Sequence, residues 1–206
     1  MLVSYRMTKE PITVEPDDLL SRAAHKMKAG GFRRLPVVSD GKLVGIVTER
    51  DLREHRGQLE HTKINGVMTK NLFTVSPEIT LEEAAQIMLE QQIGGLPVIQ
   101  EGRLIGIITA SDVMRAFLDV MGASHGGSTR IDFVLEGEEH GLNEASRVVA
   151  REHGEVLGVG TYRDKLGNNP ICYLRLISGN ADKIAKALRA SGFDVLGVHR
   201  IGGEAK

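Results

Sequence analysis

Tryptophan is absent from this chain of 206 residues, and aromatic residues of all kinds make up only 4%. So few rings offer no obvious platform for stacked bases, and a formal net charge of −1 gives no general attraction to nucleic acid or to an anionic membrane. A single cysteine, Cys172, excludes an intramolecular disulfide framework. No apolar run is long enough to span a bilayer, and the first residues do not resemble a signal peptide. We therefore expect a cytoplasmic protein that binds neither nucleic acid nor membrane.

The most informative feature present is an internal repeat. Residues 7–55 recur at 68–116 with a constant offset of 61 and no gap. Met7-Thr8-Lys9 returns as Met68-Thr69-Lys70, and the strand motif at 35–38 returns at 96–99. A repeat decides the architecture before any local pattern does, and two like units are expected to pack on each other.

Each copy predicts the order β-α-β-β-α. In the first copy we predict an extended segment at 11–14, a helix at 18–29, strands at 35–39 and 42–47, and a helix beginning near Thr48. Asp40-Gly41 is a hairpin turn signal between the two strands, and in the second copy Thr80 with Glu83 forms a capping-box pattern. A copy of about 50 residues is close to the lower limit for an independent core, so pairing of the copies is expected.

The pattern changes after a linker rich in glycine and serine. Five of the seven residues at 122–128 are Gly or Ser, a composition typical of a flexible linker. Strands are predicted at 130–135, 156–162, 171–177 and 194–199, with helices at 142–152 and after Asn180, which is predicted to cap the second helix. The order β-α-β-β-α-β is that of a split-βαβ or ferredoxin-like unit. The fold class is therefore α/β (α+β), with domains at 1–61, 62–121 and 130–203 and a linker at 122–129.

A Thr-x-x-Asp motif follows a strand in both copies, as Thr48 with Asp51 and as Thr109 with Asp112. One interpretation is a plain capping box, and for a single occurrence this is the better one. The other is a nucleotide clamp. The helix N-terminus would attract phosphate, while the carboxylate would accept both hydroxyls of a ribose.

The paired motifs Met-Thr-Lys, Thr-Val-x-Pro, Leu-Pro-Val and Gly-Ile-x-Thr-x-x-Asp resemble a tandem pair of CBS domains, a Bateman module, over about residues 1–121. The resemblance implies two clefts that hold adenosine nucleotides. Asp51 and Asp112 would hold ribose hydroxyls. The residues implied to face phosphate are Thr48, Arg50, Thr109 and Ser111. The base would be lined by the segments Thr13-Val14 and Thr74-Val75 and by the backbone around Arg34-Leu35-Pro36 and Gly95-Leu96-Pro97.

The two copies differ in charge. Arg33, Arg34 and Arg50 of the first copy correspond to Gly94, Gly95 and Ser111 of the second. We predict that the first cleft is the more basic and favours di- or triphosphates or a longer polyphosphate bridge, with Mg²⁺ accompanying the polyphosphate. The alternative, that these arginines are solvated or pair with acids, has equal weight.

The C-terminal segment resembles an ACT domain, through its element order and through His140-Gly141-Leu142 at the first strand-to-helix junction. That resemblance implies an effector site near Gly141 and Leu142. The acidic run at 136–139 would suit an amino group there. A unit that dimerises and binds nothing is the equal alternative, because ferredoxin-like folds host many functions.

The arrangement CBS-CBS-ACT resembles the bacterial acetoin-utilisation regulatory proteins. It implies a non-enzymatic homodimeric sensor of AMP, ADP, ATP or diadenosine polyphosphate that alters an unidentified target protein in central carbon metabolism. No prosthetic group and no metal bound by the protein alone are expected, since the histidines lack ligand spacing. Two alternatives stay open: a scaffold with empty clefts, and a hydrolase acting on a bound nucleotide. The lack of a paired base and nucleophile argues against the hydrolase.

Overall fold

The computed structural model describes residues 1–124, 126–135, 141–163, 169–177 and 180–201. The chain divides into two compact units, Met1–Val113 and Met114–Lys206. Four parts of the sequence predictions lie outside the described residues. They are the acidic run 136–139, His140, residues 165–168 between the strands predicted at 156–162 and 171–177, and His125 of the linker.

After the first extended segment, both copies of the first unit follow the predicted order α-β-β-α. The first copy contains β1 (Thr8–Lys9), α1 (Leu20–Gly30), β2 (Arg34–Ser39), β3 (Lys42–Thr48) and α2 (Glu49–Glu54). The second contains α3 (Leu81–Glu90), β4 (Gly95–Gln100) and β5 (Arg103–Thr109), followed by α4 (Ala110–Val120). The boundary between the two units falls inside α4.

Local sequence signals explain where these elements begin and end. Asp40 and Gly41 both have positive φ, 50° and 74°, as a tight I′-type turn between β2 and β3 requires. Gly31 adopts the left-handed conformation that ends α1. Thr80 and Glu83 form the predicted capping box, in which the Glu83 carboxylate accepts the Thr80 N–H at 2.8 Å and the Thr80 hydroxyl at 3.0 Å.

The extended segment predicted at 11–14 is shorter than expected. It contributes a single bridge, between Val14 and Val37, and the second copy repeats it between Val75 and Val98. Pro11 and Pro16 flank the first bridge and carry no N–H donor, which limits the hydrogen bonds that this segment can make to a sheet.

Each copy places its N-terminal segment on the other copy. Thr8 of β1 pairs with Ile107 of β5, and Thr69 pairs with Ile46 of β3 in the same way. A Cβ added to Gly45 would lie 2.5 Å from Sδ of Met68, so the glycine makes room for the methionine of the other copy. The Met-Thr-Lys motif is therefore the point at which the copies exchange segments.

The exchange extends into the two cores. Ile64 begins a short 3-10 turn after the first copy, donates its N–H to the carbonyl of Asp18 at 2.9 Å and is fully buried in the core of that copy. Val3 does the same for the second copy, with its N–H 2.9 Å from the carbonyl of Ile79. Each core is thus completed by residues that lie about one repeat away along the chain.

We expect Ile64→Ala to lower the free energy of unfolding by about 3 kcal/mol, because it removes a buried branched side chain and leaves a cavity. Leu89→Ala is the matched control. Leu89 is 79% exposed on α3, so its loss should change stability by no more than about 0.5 kcal/mol. Urea denaturation of both variants measures the difference, and equal costs would contradict a core role for the exchanged segment.

The second unit has the predicted β-α-β-β-α-β order. Its elements are β6 (Ser128–Val134), α5 (Gly141–Arg151), β7 (Val156–Arg163), β8 (Pro170–Ile177), α6 (Ala181–Ala190) and β9 (Val195–Ile201). The strands form one antiparallel sheet in the order β7-β8-β6-β9. The first and third strands in sequence, β6 and β8, lie at the centre of the sheet, and β7 and β9 lie at its edges, as in a ferredoxin-like unit.

Two local predictions for this unit were wrong. β6 begins at Ser128, inside the predicted linker, because Ser128 pairs with Ile177 on one side and with β9 on the other and is buried. Asn180 stands at the start of α6, but its side-chain amide donates to the carbonyl of Glu152 at 3.2 Å and does not cap the helix.

The two faces of this sheet differ in chemistry. The face that contacts α5 and α6 is an apolar core that includes Ile131, Phe133, Leu174 and Leu188, with Phe133 edge-on to a neighbouring phenylalanine ring at 5.2 Å. Side chains on successive strand residues alternate between faces, so Arg130 and Asp132 point to the opposite face.

That opposite face carries a charged cluster centred on Asp132, which is only 4% exposed. Arg130 donates to Asp132 through Nε at 2.9 Å and through Nη2 at 2.7 Å. His199 Nε2 lies 3.4 Å from the same carboxylate. The Arg130 guanidinium also lies over the ring of Tyr173, 4.6 Å from its centroid, and within 5.4 Å of the Tyr162 ring.

Cys172 lies in β8 and is fully buried. Burial raises the pKa of the Cys172 thiol to about 11, so the reactive thiolate is scarce at neutral pH. We expect no reaction with a disulfide reagent at pH 8 in the native protein and one thiol titrated per chain after denaturation. Rapid labelling of the folded protein would contradict this placement.

Candidate functional site

The first unit contains a cavity of about 630 Å³ beside the first Thr-x-x-Asp motif. Residues of both copies line it: Arg33, Arg34, Ile46, Thr48, Glu49, Arg50, Asp51, Arg53, Thr69, Asn71, Leu72, Phe73, Gln92, Ile93, Gly94 and Gly95. Its volume is in the range of about 300–1,000 Å³ that is typical of small-molecule sites.

Asp51 lies at the start of α2, in the wall of this cavity. Its Oδ2 accepts the backbone N–H of Thr48 at 2.7 Å and the Thr48 hydroxyl at 2.8 Å. These two bonds hold the carboxylate in a fixed orientation. The capping-box interpretation is therefore correct, and it is compatible with the nucleotide interpretation, because a carboxylate has further acceptor sites on its other oxygen.

Arginines make the cavity basic. Four of them line it, Arg33, Arg34, Arg50 and Arg53, against the two carboxylates of Glu49 and Asp51. α2 is only six residues long. A helix N-terminus attracts phosphate through its aligned peptide dipoles, but so short a helix has few of them, and the guanidinium groups are the stronger source of positive charge.

Arg34 is the most enclosed of these arginines. Burial lowers the pKa of its guanidinium from the ordinary value, repulsion from Arg33 lowers it further, and the carboxylate of Asp112 opposes the shift. Its side chain reaches from the first copy to the second, where a Cβ added to Gly94 would lie 2.7 Å from Arg34 Nη2. Because Gly94 has no side chain, the Arg34 guanidinium can lie directly against its backbone.

The second Thr-x-x-Asp motif has the same local geometry. Asp112 Oδ2 accepts the Thr109 N–H at 2.9 Å and the Thr109 hydroxyl at 2.6 Å. Neither residue lines the cavity beside Asp51, and neither does Ser111. Each copy therefore holds one carboxylate in the same orientation, and only that of Asp51 lines this cavity.

The structure brings five of the predicted nucleotide residues into one cavity: Arg34, Thr48, Arg50, Asp51 and Gly95. Most of the residues predicted to line the base lie elsewhere. Their side chains are largely buried in the cores of the two copies: Val14, Leu35, Pro36, Val75, Leu96 and Pro97. Thr13 and Thr74 are half-buried and exposed, respectively, and also lie outside the lining of this cavity.

The segment Asn71-Leu72-Phe73 was missed by the sequence analysis. It belongs to the second copy but lines the cavity beside Asp51 of the first, and Phe73 is 49% exposed. The available signal was an apolar ring directly before the Thr74-Val75 motif, with no core position to occupy. Its placement follows from the exchanged segments, which bring residues 69–73 alongside β3.

The second unit has a smaller cavity of about 210 Å³. Leu142, Ser146, Val149, Ala150, Gly154, Val156, Val159 and Leu174 line it. Leu142, one of the two predicted effector residues, therefore lies at a cavity, and Gly141 begins α5 next to it. The lining is mostly apolar, so it suits an aliphatic group better than the amino group that the acidic run had suggested.

Within the described ranges, no three His, Cys, Asp or Glu side chains are grouped to hold a metal ion. In that same part of the chain, the helices are too short or too polar to cross a membrane.

The CBS domain model matches residues 3–57 and 64–119, which is more than half of the chain. The chain therefore belongs to the CBS domain family, and its first unit is a tandem CBS pair.

The curated relatives match this pair. Inosine-5'-monophosphate dehydrogenase of Korarchaeum cryptofilum is 45% identical over 107 residues, which cover 51% of this chain and 22% of that enzyme. The chain thus spans about a fifth of the dehydrogenase. A CBS domain-containing protein of Dictyostelium discoideum is 35% identical over 136 residues, which cover 59% of this chain and 94% of that relative.

Solved structures with the same fold include ligand complexes. The CBS domain pair of protein MJ0100, in complex with 5'-methylthioadenosine and S-adenosyl-L-methionine, is 32% identical, covers 57% of this chain and 95% of its own, and has a TM-score of 0.54. CBSX2 in complex with AMP is 30% identical over 57% of this chain and 96% of its own, with a TM-score of 0.52. A proposed acetoin utilization protein (AcuB) from Vibrio cholerae is 33% identical over 60% of this chain and 95% of its own, with a TM-score of 0.55.

Proposed function

We propose that this protein is a regulatory sensor of adenosine nucleotides and that the cavity beside Asp51 is its binding site. The observation that carries the proposal is the meeting, in one cavity of suitable size, of a fixed carboxylate and four arginines. Two related CBS pairs in the same fold hold adenosine ligands, AMP in one and 5'-methylthioadenosine with S-adenosyl-L-methionine in the other.

Each part of a nucleotide has a partner of matching chemistry in this site. Asp51, held by Thr48, accepts the two ribose hydroxyls. Arg33, Arg50 and Arg53 surround the phosphates, for which the guanidinium fork is well suited. Phe73 offers a ring on which the adenine base stacks, with Ile46 and Leu72 as apolar neighbours.

The excess of arginine over carboxylate favours ligands with several phosphates. ADP, ATP and diadenosine polyphosphates bring more negative charge than AMP, and Mg²⁺ accompanies them as part of the ligand. The protein acts on its target through a change in the arrangement of the CBS pair. Such a change requires that the ligand bind one arrangement more tightly than another.

The remaining domains fit this role. Residues 1–61 and 62–121 are the two CBS domains, and the ACT-like unit that begins with β6 carries a small apolar effector site at Leu142. α4 exposes Met114, Phe117, Leu118 and Val120, an apolar face suited to homodimer formation. The likeness to the Vibrio cholerae protein favours a target in acetoin or central carbon metabolism, in the cytoplasm and without catalysis by this chain.

Calorimetric titration with AMP, ADP, ATP and diadenosine polyphosphates tests the proposal. We expect saturable binding, tighter for the polyphosphates, and a rise in melting temperature. At a ligand concentration of 100 times Kd, binding to the folded state alone adds about 2.7 kcal/mol of stability. A well-folded protein whose melting temperature none of these ligands changes would favour the alternative, a dimerisation scaffold with empty clefts. Product formed from ATP would favour a hydrolase.

A further inference from the structure

The two carboxylates of the CBS pair have unequal surroundings, and Arg34 is the cause. β2 pairs with β3 so that Arg34 lies opposite Thr48, and β4 pairs with β5 so that Gly95 lies opposite Thr109. The Arg34 side chain leaves the Thr48 side and lies on Gly94 and Gly95. It therefore ends at the side of the pair that carries Thr109 and Asp112.

The two copies repeat the same contacts, so the surroundings of Asp112 can be compared position by position with those of Asp51. The N–H of Glu49 donates to the carbonyl of Arg33 at 2.8 Å, and the N–H of Ala110 donates to the carbonyl of Gly94 at 3.2 Å. Contacts of the first copy thus recur in the second with the offset of 61. The cavity beside Asp51 is lined by Gly94 and Gly95 of the other copy together with Arg33 and Arg34 of its own. By the same offset, the residues that the other copy contributes to the cleft beside Asp112 are the two arginines.

Arg34 fills that space and brings its charge to Asp112. The carboxylate of Asp112 stabilises the charged form of Arg34 against the cost of burial. A guanidinium that lies near a carboxylate offsets its charge, and a ribose must displace the guanidinium before it reaches the carboxylate oxygens. The residue that corresponds to Arg34 across the pair from Asp51 is Gly95, which has no charged side chain.

Two other differences act in the same direction. Arg50, which lines the first cavity, is replaced in the second copy by Ser111. Phe73, the exposed ring in the first cavity, corresponds by the same offset to Ile12. The second cleft therefore lacks a phosphate partner and an aromatic surface that the first cleft has.

We infer that Arg34 closes the cleft beside Asp112, so that the pair binds one nucleotide per chain, at Asp51. This inference rests on the proposed function and specifies its stoichiometry. Arg34 is a residue that determines which of two similar clefts is available, and the closed cleft opens when its side chain is removed.

Calorimetric titration of the full chain with AMP tests this. The wild-type chain should bind one AMP, and Arg34→Gly, which reproduces the glycine of the second copy, should bind two. In Arg34→Gly combined with Asp112→Ala the second site should be lost again. Arg56→Gly is the matched control, because it removes one positive charge from an exposed residue of the same CBS domain that does not line the cavity. It should leave the stoichiometry at one.

The outcomes separate the inference from the function on which it rests. Two AMP per wild-type chain, or one AMP per chain of Arg34→Gly, overturns the inference and leaves the nucleotide site standing. No binding by any of the variants overturns the proposed function, and the inference falls with it. If thermal melting shows that Arg34→Gly is destabilised, Arg34→Ala replaces it in the same comparison, because alanine also lacks the guanidinium.

Discussion

Replacing Asp51 by alanine is expected to weaken AMP binding by about 100-fold. The carboxylate accepts two ribose hydroxyls in the proposed complex, and hydrogen bonds to a charged group contribute about 1.5–3 kcal/mol each. A loss of about 3 kcal/mol corresponds to roughly a hundredfold change in Kd. Calorimetry on the wild type and the variant measures this directly.

Asp18→Ala is the matched control for that experiment. Asp18 is another carboxylate of the first CBS domain, and it also accepts a backbone N–H, that of Glu15 at 2.9 Å. It does not line the cavity. The substitution removes the same charge and a similar local hydrogen bond, so its Kd for AMP should stay within about twofold of the wild type. Equal losses in the two variants would mean that Asp51 acts only through the stability of its helix.

The second large effect concerns the ACT-like unit. We expect Arg130→Met to lower its free energy of unfolding by about 3 kcal/mol, because the change leaves the carboxylate of Asp132 buried without its two-point partner. Denaturant unfolding followed by tyrosine fluorescence measures this. Tyr162 and Tyr173, two of the three tyrosines, lie beside the cluster, and no tryptophan obscures their signal.

Two further variants show whether the cost arises from the unpaired charge. Arg200→Met breaks an ion pair with Asp182 whose two side chains are both exposed, and it should cost no more than about 1 kcal/mol. Arg130→Met combined with Asp132→Leu removes both charges and should recover most of the stability, since an apolar pair of similar size is often as stable as a buried ion pair. An Arg130→Met variant as stable as Arg200→Met would show that Asp132 does not depend on its arginine.

Features that depend on neighbouring residues were predictable from the sequence. The offset of 61 gave the order of elements in both copies, Asp40-Gly41 gave a hairpin, and Thr80 with Glu83 gave a cap, because each of these is decided within a few residues. The β-α-β-β-α-β order of the second unit was predictable for the same reason. Asn180 was an exception, because its side-chain amide donates a hydrogen bond to the carbonyl of Glu152 and does not cap its own helix.

The exchange of segments was not predictable from the sequence, and neither were the four lining residues of the candidate site that it supplies, which are Thr69, Asn71, Leu72 and Phe73. Thr8 and Thr69 have nearly identical surroundings in sequence, so the pattern does not show which copy each one joins. The contribution of Phe73 to the cavity of Asp51 follows only from that choice. Thr48, Arg50 and Asp51 could be placed together in one candidate site because their motif is local, whereas the burial of the Val14 and Leu35 side chains depends on residues distant in sequence.

The exchanged segments also bear on the origin of the protein. A chain with one such repeat would carry a free segment equivalent to Thr69 and a core lacking its Ile64, and neither need is met within the repeat itself. Two identical single-repeat chains would satisfy each other by the same reciprocal contacts, as a symmetric dimer with two equal clefts. Joining the copies in one gene releases them from that equality. Only after such a fusion can one position hold arginine in one copy and glycine in the other, as positions 34 and 95 do.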